Sequence, residues 1–295
     1  IIAQTRLRRG GKIGTFDYGE HLRMQGFIGS AYIYRYTLHA ASTHSIPLQQ
    51  RLYRRLEQAG LSGDELATTG ALTLGYKEDL DPQLRQHFQA SGAAHVLAVS
   101  GLHTGILYAI LLGLLTLGKR FRPRYENQWG RCALGTIIIA FMWGYAWLTG
   151  MTPSVVRCVV MITLVEIGRM LYRNSLTINT IAAAAVLILL VRPLDLWSIS
   201  FQLSFAATIA IVIFAKGMEQ LVPLPQRENR WKTWIITYIL GTIIVSIAAQ
   251  LGTLPITMYT FGQVSNYFLL TNLIVLPIAS FLVPIGLATV AFGGT

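Results

Sequence analysis

From residue 96 onward, long apolar runs alternate with short polar joints, and this alternation constrains the fold more than any other feature. One helical crossing of a bilayer core needs about 20 apolar residues, within a range of about 17–25. Only 13% of the 295 residues are charged, whereas soluble domains carry about a quarter. The sequence therefore predicts an all-α polytopic membrane bundle rather than a soluble globular domain.

Seven runs are candidates for transmembrane segments, some of them broken. They are residues 96–117, 132–150, 155–172, 177–191, 197–215, 234–256 and 267–292. The fourth run is short, so a re-entrant or buried helix is an alternative to a crossing. The seventh run contains Pro277 and Pro284, which are expected to kink the helix or divide it into two half-helices.

Basic residues fall in every second joint, which is the distribution that the positive-inside rule describes. The joints at 118–131 and 216–233 are rich in Lys and Arg, whereas those at 151–154 and 257–266 carry no charge. With seven crossings, residues 1–94 are predicted to lie outside the cytoplasm and the C-terminus to lie inside it.

Residues 1–94 are polar enough to lie in water and divide into two predicted regions. Residues 1–45 are expected to contain some β-structure, and residues 46–94 to form short amphipathic helices. The predicted helices are Pro47–Ala59, a helix from a capping box at Ser62–Glu65 to Leu74, and a helix that Asp81 caps before Pro82. Because the chain opens with Ile1 rather than Met, we expect a fragment of a longer protein.

Polar residues cluster where the first apolar run begins: His95, Ser100 and His103. Polar groups at membrane depth are costly and often mark a functional site, so we expect this cluster to line a polar path. Ser100 and His103 are three residues apart on a helix, which allows a contact between their side chains. Gly101 and Gly105 predict the close approach of a neighbouring helix.

Catalysis and metal binding are the alternatives for this cluster. A Ser–His nucleophile would also need an orienting acid and an oxyanion hole, and the sequence pairs neither with it. A metal site at His95 and His103 would need a third ligand, and none is evident. We therefore assign no catalytic residue, no metal-binding residue and no cofactor.

The third run carries charged side chains. Arg157 is predicted either to snorkel to the outer interface or to hold a positive charge at the mouth of a path, where it could meet a phosphate. Glu166 and Arg169 are three residues apart and predict an ion pair. Cys132 and Cys158 lie in apolar runs and are expected to be small packing residues.

Later runs contain uncharged polar side chains at Gln202, Ser204, Gln250 and Asn272. Such groups either form hydrogen bonds to neighbouring helices or wet a channel, and the sequence leaves both open.

Five motifs resemble the competence domain of the ComEC/Rec2 family. They are HVLAVSGLHTGIL (95–107), LTGMTPSVVRCVVM (148–161), FQLSFAATIAI (201–211), AQLGTLPITMYTFG (249–262) and NLIVLPI (272–278). Residues 16–33 and 70–95 also resemble segments of that family, so the resemblance covers nearly the whole chain. It implies three regions: residues 1–45 as the tail of an extracytoplasmic OB-like domain, 46–94 as the approach to the membrane, and 95–295 as the channel domain.

The resemblance implies a channel in the bacterial inner membrane that passes single-stranded DNA into the cytoplasm during natural transformation. Its implied partners are the DNA strand, the lipid bilayer, an external DNA receptor, and a cytoplasmic motor or single-strand-binding proteins. We predict pore-lining or mouth residues at His95, Ser100, His103, Arg157, Gln202, Ser204, Gln250 and Asn272, and candidate contacts to the DNA backbone at Arg6, Arg8, Arg9 and Lys12. No His-x-His-x-Asp-His motif occurs, so we assign no nuclease activity to this sequence.

Two other functions are alternatives. Gly and Pro within 250–255 and 277–284 are typical of the interrupted helices of secondary transporters, here for a small anion or metabolite. An intramembrane hydrolase that uses Ser100 and His103 is the second alternative.

Overall fold

The computed structural model describes most of the chain from residue 48 onward and four short strands before it. The described residues are 2–3, 12–13, 16–17, 36–37, 48–90, 99–116, 127–172, 178–215, 217, 230–262 and 268–293. The predictions for Arg6, Arg8, Arg9 and His95 lie outside the described residues.

The described part of residues 1–47 forms two antiparallel ladders. Strand β1 (Ile2–Ala3) pairs with β4 (Tyr36–Thr37), and β2 (Lys12–Ile13) pairs with β3 (Phe16–Asp17). Each strand has only two residues, so the β-rich character of residues 1–45 remains a prediction.

Helices make up nearly all of the remaining described residues. They are α1 (Leu48–Gln58), α2 (Gly63–Leu74), α3 (Pro82–Ala90), α4 (Gly101–Thr116), α5 (Gln128–Leu148), α6 (Pro153–Met170), α7 (Ile178–Val191), α8 (Ile199–Ala210), α9 (Arg230–Phe261) and α10 (Phe268–Phe292). A short 3₁₀ helix (Pro193–Trp197) precedes α8, and a π-helical turn (Ile211–Ala215) follows it. Each of the seven predicted runs overlaps one helix from α4 to α10, which confirms a mainly helical membrane protein.

Three helical segments of the described chain are long and apolar enough to cross a membrane: α5, residues Ile236–Thr260 of α9, and α10. Only 28%, 17% and 22% of their apolar windows are buried inside the protein, which leaves wide apolar surfaces for lipid. The 16 residues of α4 and the 14 of α7 reach only about 24 and 21 Å, short of a bilayer core of about 30 Å. The number of full crossings therefore stays a prediction.

Helix α10 is continuous, although Pro277 and Pro284 both lie inside it. The expected division into two half-helices is not seen, and Pro255 likewise lies inside the continuous helix α9. Proline removes one backbone hydrogen bond, and packing against neighbouring helices tolerates this in membrane proteins.

The short helices before the membrane part begin where the sequence predicts, with one difference at a cap. The backbone N–H of Gln83 donates to Asp81 Oδ1 (2.8 Å), as expected of an N-cap before Pro82. Ser62 occupies the N-cap position of α2, but its hydroxyl makes no capping hydrogen bond. The predicted capping box is therefore not formed, and α2 is held mainly by its buried face.

Helix α1 contacts both the turn between α5 and α6 and the C-terminal end of α10. Helix α2 also packs on α10. Arg55 Nη1 donates to the carbonyl of Val290 (3.1 Å), while the side chain of Gln49 lies against Gly150 in the α5–α6 turn. Gln49 and Arg55 are about 9 Å apart along α1, whereas the two faces of a bilayer core are about 30 Å apart. The end of α10 and the α5–α6 turn thus lie near the same end of the helical bundle.

The expectation that residues 1–94 and the C-terminus lie on opposite faces of the membrane stays a prediction, as does the number of crossings. One hydrogen bond shows where α10 starts relative to α9. Asn272, near the beginning of α10, donates from Nδ2 to Ser246 Oγ (3.1 Å), and Ser246 is near the middle of α9. Helix α10 therefore begins beside the middle of α9, whereas the sequence counted each apolar run as one full crossing.

Five helices of the membrane part contact one another in a closed sequence. Helix α4 contacts α6, α6 contacts α8, α8 contacts α9, α9 contacts α10, and α10 contacts α4. Helix α5 packs on α4 and α6, and α7 packs on α6 and α8. We call α4, α6, α8, α9 and α10 the five-helix ring.

Candidate functional site

Ser100 and His103 meet at the start of α4, as the sequence predicts. Ser100 Oγ lies 3.1 Å from His103 Nδ1, and the backbone N–H of Ser100 also donates to Nδ1 (3.1 Å). His103 is fully buried. His103 is the third residue of α4, and its side chain accepts the backbone N–H of Ser100, the residue before the helix. In a capping box, the side chain at the third helical position makes this same hydrogen bond.

This capping geometry bears on the hydrolase alternative. Because Nδ1 accepts a backbone N–H, that nitrogen carries no proton and is already engaged at the helix start. A catalytic base in a Ser–His–acid arrangement uses one ring nitrogen for the nucleophile and donates from the other to an acid. The one buried carboxylate of the described membrane helices, Glu166, is bonded to Tyr108 and Arg169 instead. The contact between Ser100 and His103 is thus explained by helix capping.

Helix α6 packs closely on the start of α4. Cys158 Sγ donates to the carbonyl of Gly101 (3.3 Å), and a Cβ placed on Gly101 would lie 3.7 Å from Cys158 Cβ. Gly105 has no neighbour within 4 Å of such a Cβ, so of the two predicted glycines only Gly101 lies at a helix contact. Cys132 and Cys158 are free thiols.

Arg157 on α6 is buried, with 2% of its surface exposed. Its Nη2 donates to Ser154 Oγ (3.2 Å) and to Ser200 Oγ on α8 (2.7 Å). Its Nε and Nη1 have no hydrogen-bond partner among the described residues. Snorkelling to the interface, one of the two predicted alternatives, is therefore excluded, because a snorkelling guanidinium would be exposed.

The start of α6 fixes the position of Ser154 beside Arg157. Thr152 is the N-cap, Pro153 is the first helical residue, and Ser154 lies in the first turn. Pro suits the first helical position because the N–H that it lacks would have no helical partner there. The hydroxyl of Ser154 is therefore available to Arg157.

Glu166 forms a three-residue network between α6 and α4. The predicted pair with Arg169 is confirmed, with 3.0 Å between Nη1 and Oε1. Tyr108 on α4 donates its hydroxyl to the same carboxylate oxygen (2.5 Å) and accepts a bond from Arg169 (3.1 Å). Tyr108 was not predicted, because no local spacing links it to residues 58 positions away.

The polar residues of the later helices are not gathered in one cluster. Gln202 donates to the carbonyl of Leu196, close to it in the chain, and Ser204 contributes its carbonyl to Thr208. Asn272 bonds Ser246, a partner that the sequence missed although it lies one turn before Gln250. The amide oxygen of Asn272 is buried and has no partner among the described residues.

All predicted pore residues that the structure describes belong to the five-helix ring or directly precede one of its helices. Ser100 directly precedes α4, His103 belongs to α4 and Arg157 to α6, and the others belong to α8, α9 and α10: Gln202, Ser204, Gln250 and Asn272. Helices α5 and α7, which pack on the ring, carry none of them. Within the described ranges, no group of three or more His, Cys, Asp or Glu side chains has the arrangement of a metal site.

Comparison with known proteins gives one family and several relatives. A family model described as competence protein matches residues 72–294. ComE operon protein 3 of Bacillus subtilis is 27% identical over 279 residues, which cover 91% of this chain and 32% of that protein. Recombination protein 2 of Haemophilus influenzae is 27% identical over 246 residues, covering 82% of this chain and 31% of that protein.

A further relative is named only as an uncharacterized protein, YcaI of Escherichia coli. It is 28% identical over 222 residues, which cover 74% of this chain and 28% of that protein. The chain thus spans about a third or less of the length of these curated relatives. No solved structure matches the chain.

Proposed function

Because this chain belongs to the competence protein family, we propose that it forms the membrane part of a channel that passes single-stranded DNA into the cytoplasm during natural transformation. The observation that carries the proposal is the five-helix ring together with the polar residues on it. The proposed site is the bacterial inner membrane, with residues 1–94 on the outer side. In this proposal the chain performs no catalysis.

The ring supports a path within one chain. The five helices contact one another in a closed sequence within one chain, which supports a path that needs no second copy. A DNA strand needs a wetted groove with cations for its phosphates. Polar side chains at membrane depth are costly unless they face protein or water. The predicted residues that the structure describes lie on ring helices or, for Ser100, directly before one. A ring that carries them supports a polar path better than a structural anchor.

The two alternative functions have less support. The transporter alternative depended on interrupted helices at 250–255 and 277–284, and both segments lie in continuous helices. The hydrolase alternative depended on the Ser100–His103 contact, which helix capping accounts for. The proposed partners are the incoming strand, an external DNA receptor, and a cytoplasmic motor or single-strand-binding proteins.

Deleting the gene is the direct test of the channel. We expect transformation to fall to background, while DNA bound to the cell exterior stays at the level of the parent strain, because entry is blocked after binding. Transformation frequency and DNase-sensitive labelled DNA on the cells are measured in parallel. Unchanged transformation in the deletion strain would refute the proposal.

Substituting Ser100 separates the channel from the hydrolase. Ser100→Ala removes the hydroxyl but keeps the backbone N–H that His103 accepts, so we expect near-normal DNA entry. The loss of stability should be about 1 kcal/mol or less, as for other cap substitutions. The measurement is transformation frequency at matched protein level. Loss of DNA entry in a stably inserted Ser100→Ala variant would favour the hydrolase alternative.

A further inference from the structure

The buried charge of Arg157 lacks a counter-ion. Its guanidinium is bonded to two neutral hydroxyls, and the ion pairs of the described residues leave it with no carboxylate within 4.0 Å. Asp195 is the carboxylate that acts on it electrostatically, but Asp195 is already paired with Arg192, at 3.8 Å. A buried charge without a partner is costly, and an anion bound beside it would offset that cost.

The surroundings add positive potential. Ser154 lies in the first turn of α6 and Ser200 in the first turn of α8, so two helix N-termini meet at the guanidinium. Each N-terminus presents backbone N–H groups and the positive end of a helix dipole. Ser198, the N-cap of α8, makes no capping bond with its side chain. Together these groups favour an anion and repel a further cation.

We propose that Arg157, Ser154, Ser200 and the N-terminus of α8 bind a phosphodiester group of the transported strand. This inference rests on the proposed channel function. A phosphodiester carries one negative charge on two oxygens, which matches a guanidinium with free N–H groups on Nε and Nη1. The two serine hydroxyls, which now accept from Nη2, are able to rotate and donate to the same oxygens.

Ser200 marks the side from which the phosphate arrives. It is exposed, whereas Arg157 behind it is buried. An incoming phosphate therefore contacts the Ser200 hydroxyl and the N–H groups of α8 first. The guanidinium of Arg157 then donates to the phosphate oxygens in place of the two serine hydroxyls. These contacts recognise the charged DNA backbone and are independent of base sequence, as a general DNA channel requires.

The test measures the affinity of two oligonucleotide probes for wild-type and variant full-length protein in lipid nanodiscs. The probes are a single-stranded oligonucleotide with phosphodiester linkages and the same sequence with uncharged methylphosphonate linkages. We expect Arg157→Met to weaken binding of the phosphodiester probe about tenfold, because charge-assisted hydrogen bonds are lost. The affinity for the methylphosphonate probe should change by less than about twofold. Ser200→Ala, which keeps the charge, should give a loss of about threefold.

Exposed Arg54 on α1 provides the matched control, because Arg54→Met removes the same charge from a solvated site. It should change the ratio of the two affinities by less than about twofold. Arg157→Met should also melt no lower than wild type, since it removes an unpaired buried charge. A purely structural Arg157 would lower the melting temperature and leave the ratio unchanged.

Two outcomes overturn the inference. One is an unchanged affinity ratio in Arg157→Met, whether neither probe loses affinity or both lose it equally. The other is a lipid result, in which phosphatidylglycerol stabilises wild type but not Arg157→Met while DNA binding is unaffected. Failure of the channel itself is distinguishable, because normal transformation of the deletion strain refutes it whatever the affinity ratio shows.

Discussion

Replacing Glu166 with alanine is expected to lower the free energy of unfolding by about 3 kcal/mol, near the lower end of the range for broken buried ion pairs. The carboxylate is buried and accepts bonds from both Tyr108 and Arg169. Its removal leaves the half-buried Tyr108 hydroxyl without its acceptor and takes the carboxylate away from Arg169, which keeps its bond to the Tyr108 oxygen. The cost is not larger because the Arg169 side chain is 30% exposed and can turn toward water or headgroups.

The matched variant is Glu166→Gln, which keeps an acceptor oxygen for Tyr108 but loses the charge that pairs with Arg169. We expect it to recover about half of the loss. Unfolding of the full-length protein in detergent, followed by tryptophan fluorescence, measures both variants. Equal stability of Glu166→Ala and wild type would mean that the network is absent in the membrane.

The helices were predictable because their cause is local. An apolar run in lipid has to satisfy its own backbone, and only a helix does so within one segment. For that reason the boundaries of α5, α6 and α7 fall within a few residues of the predicted runs. The pair between Glu166 and Arg169 was predictable for a similar reason, since helical spacing alone brings them together. The family resemblance drawn from the five motifs is likewise confirmed.

The misses have a common cause in contacts between distant segments. The burial of Arg157 depends on Ser200, which is 43 positions away on another helix. The position of α10 depends on Asn272 meeting Ser246 and on Arg55 meeting Val290. Apolar periodicity and charge counts contain none of this information. A run of suitable length predicts that a helix forms, but the depth at which it starts is set by its neighbours.

Helix approach through glycine is another tertiary feature, and it appears at a position that the sequence suggested only as part of an interrupted helix. Gly101 and Gly105 were expected to allow it, yet among the described glycines of the ring helices the closest approach to another ring helix occurs at Gly252 on α9. A Cβ on Gly252 would lie 2.6 Å from the backbone oxygen of Ala206 and would collide with Ala210 Cβ on α8. Gly252 thus lets α8 and α9 pack backbone to backbone.

Gly252→Ala is therefore expected to destabilise the protein by about 2 kcal/mol, the range of overpacked cores. Relief would require α8 and α9 to separate, because the atom in the way is a backbone oxygen rather than the end of a flexible side chain. Gly241 on the same helix is the control, since a Cβ there has no neighbour within 4 Å. Gly241→Ala should raise stability by about 0.5–1 kcal/mol through the lower entropy of its unfolded chain.

The two Gly→Ala substitutions are expected to change the stability in opposite directions although both lie on α9. The comparison therefore separates the effect of packing from that of helix propensity. Because α8 and α9 are consecutive members of the five-helix ring, separating them opens the ring. Transformation should accordingly fall several-fold in Gly252→Ala and stay at the wild-type level in Gly241→Ala, with protein amounts measured by immunoblot. If both variants transform alike and Gly252→Ala is as stable as Gly241→Ala, α8 and α9 do not pack in this way and the ring does not close through them.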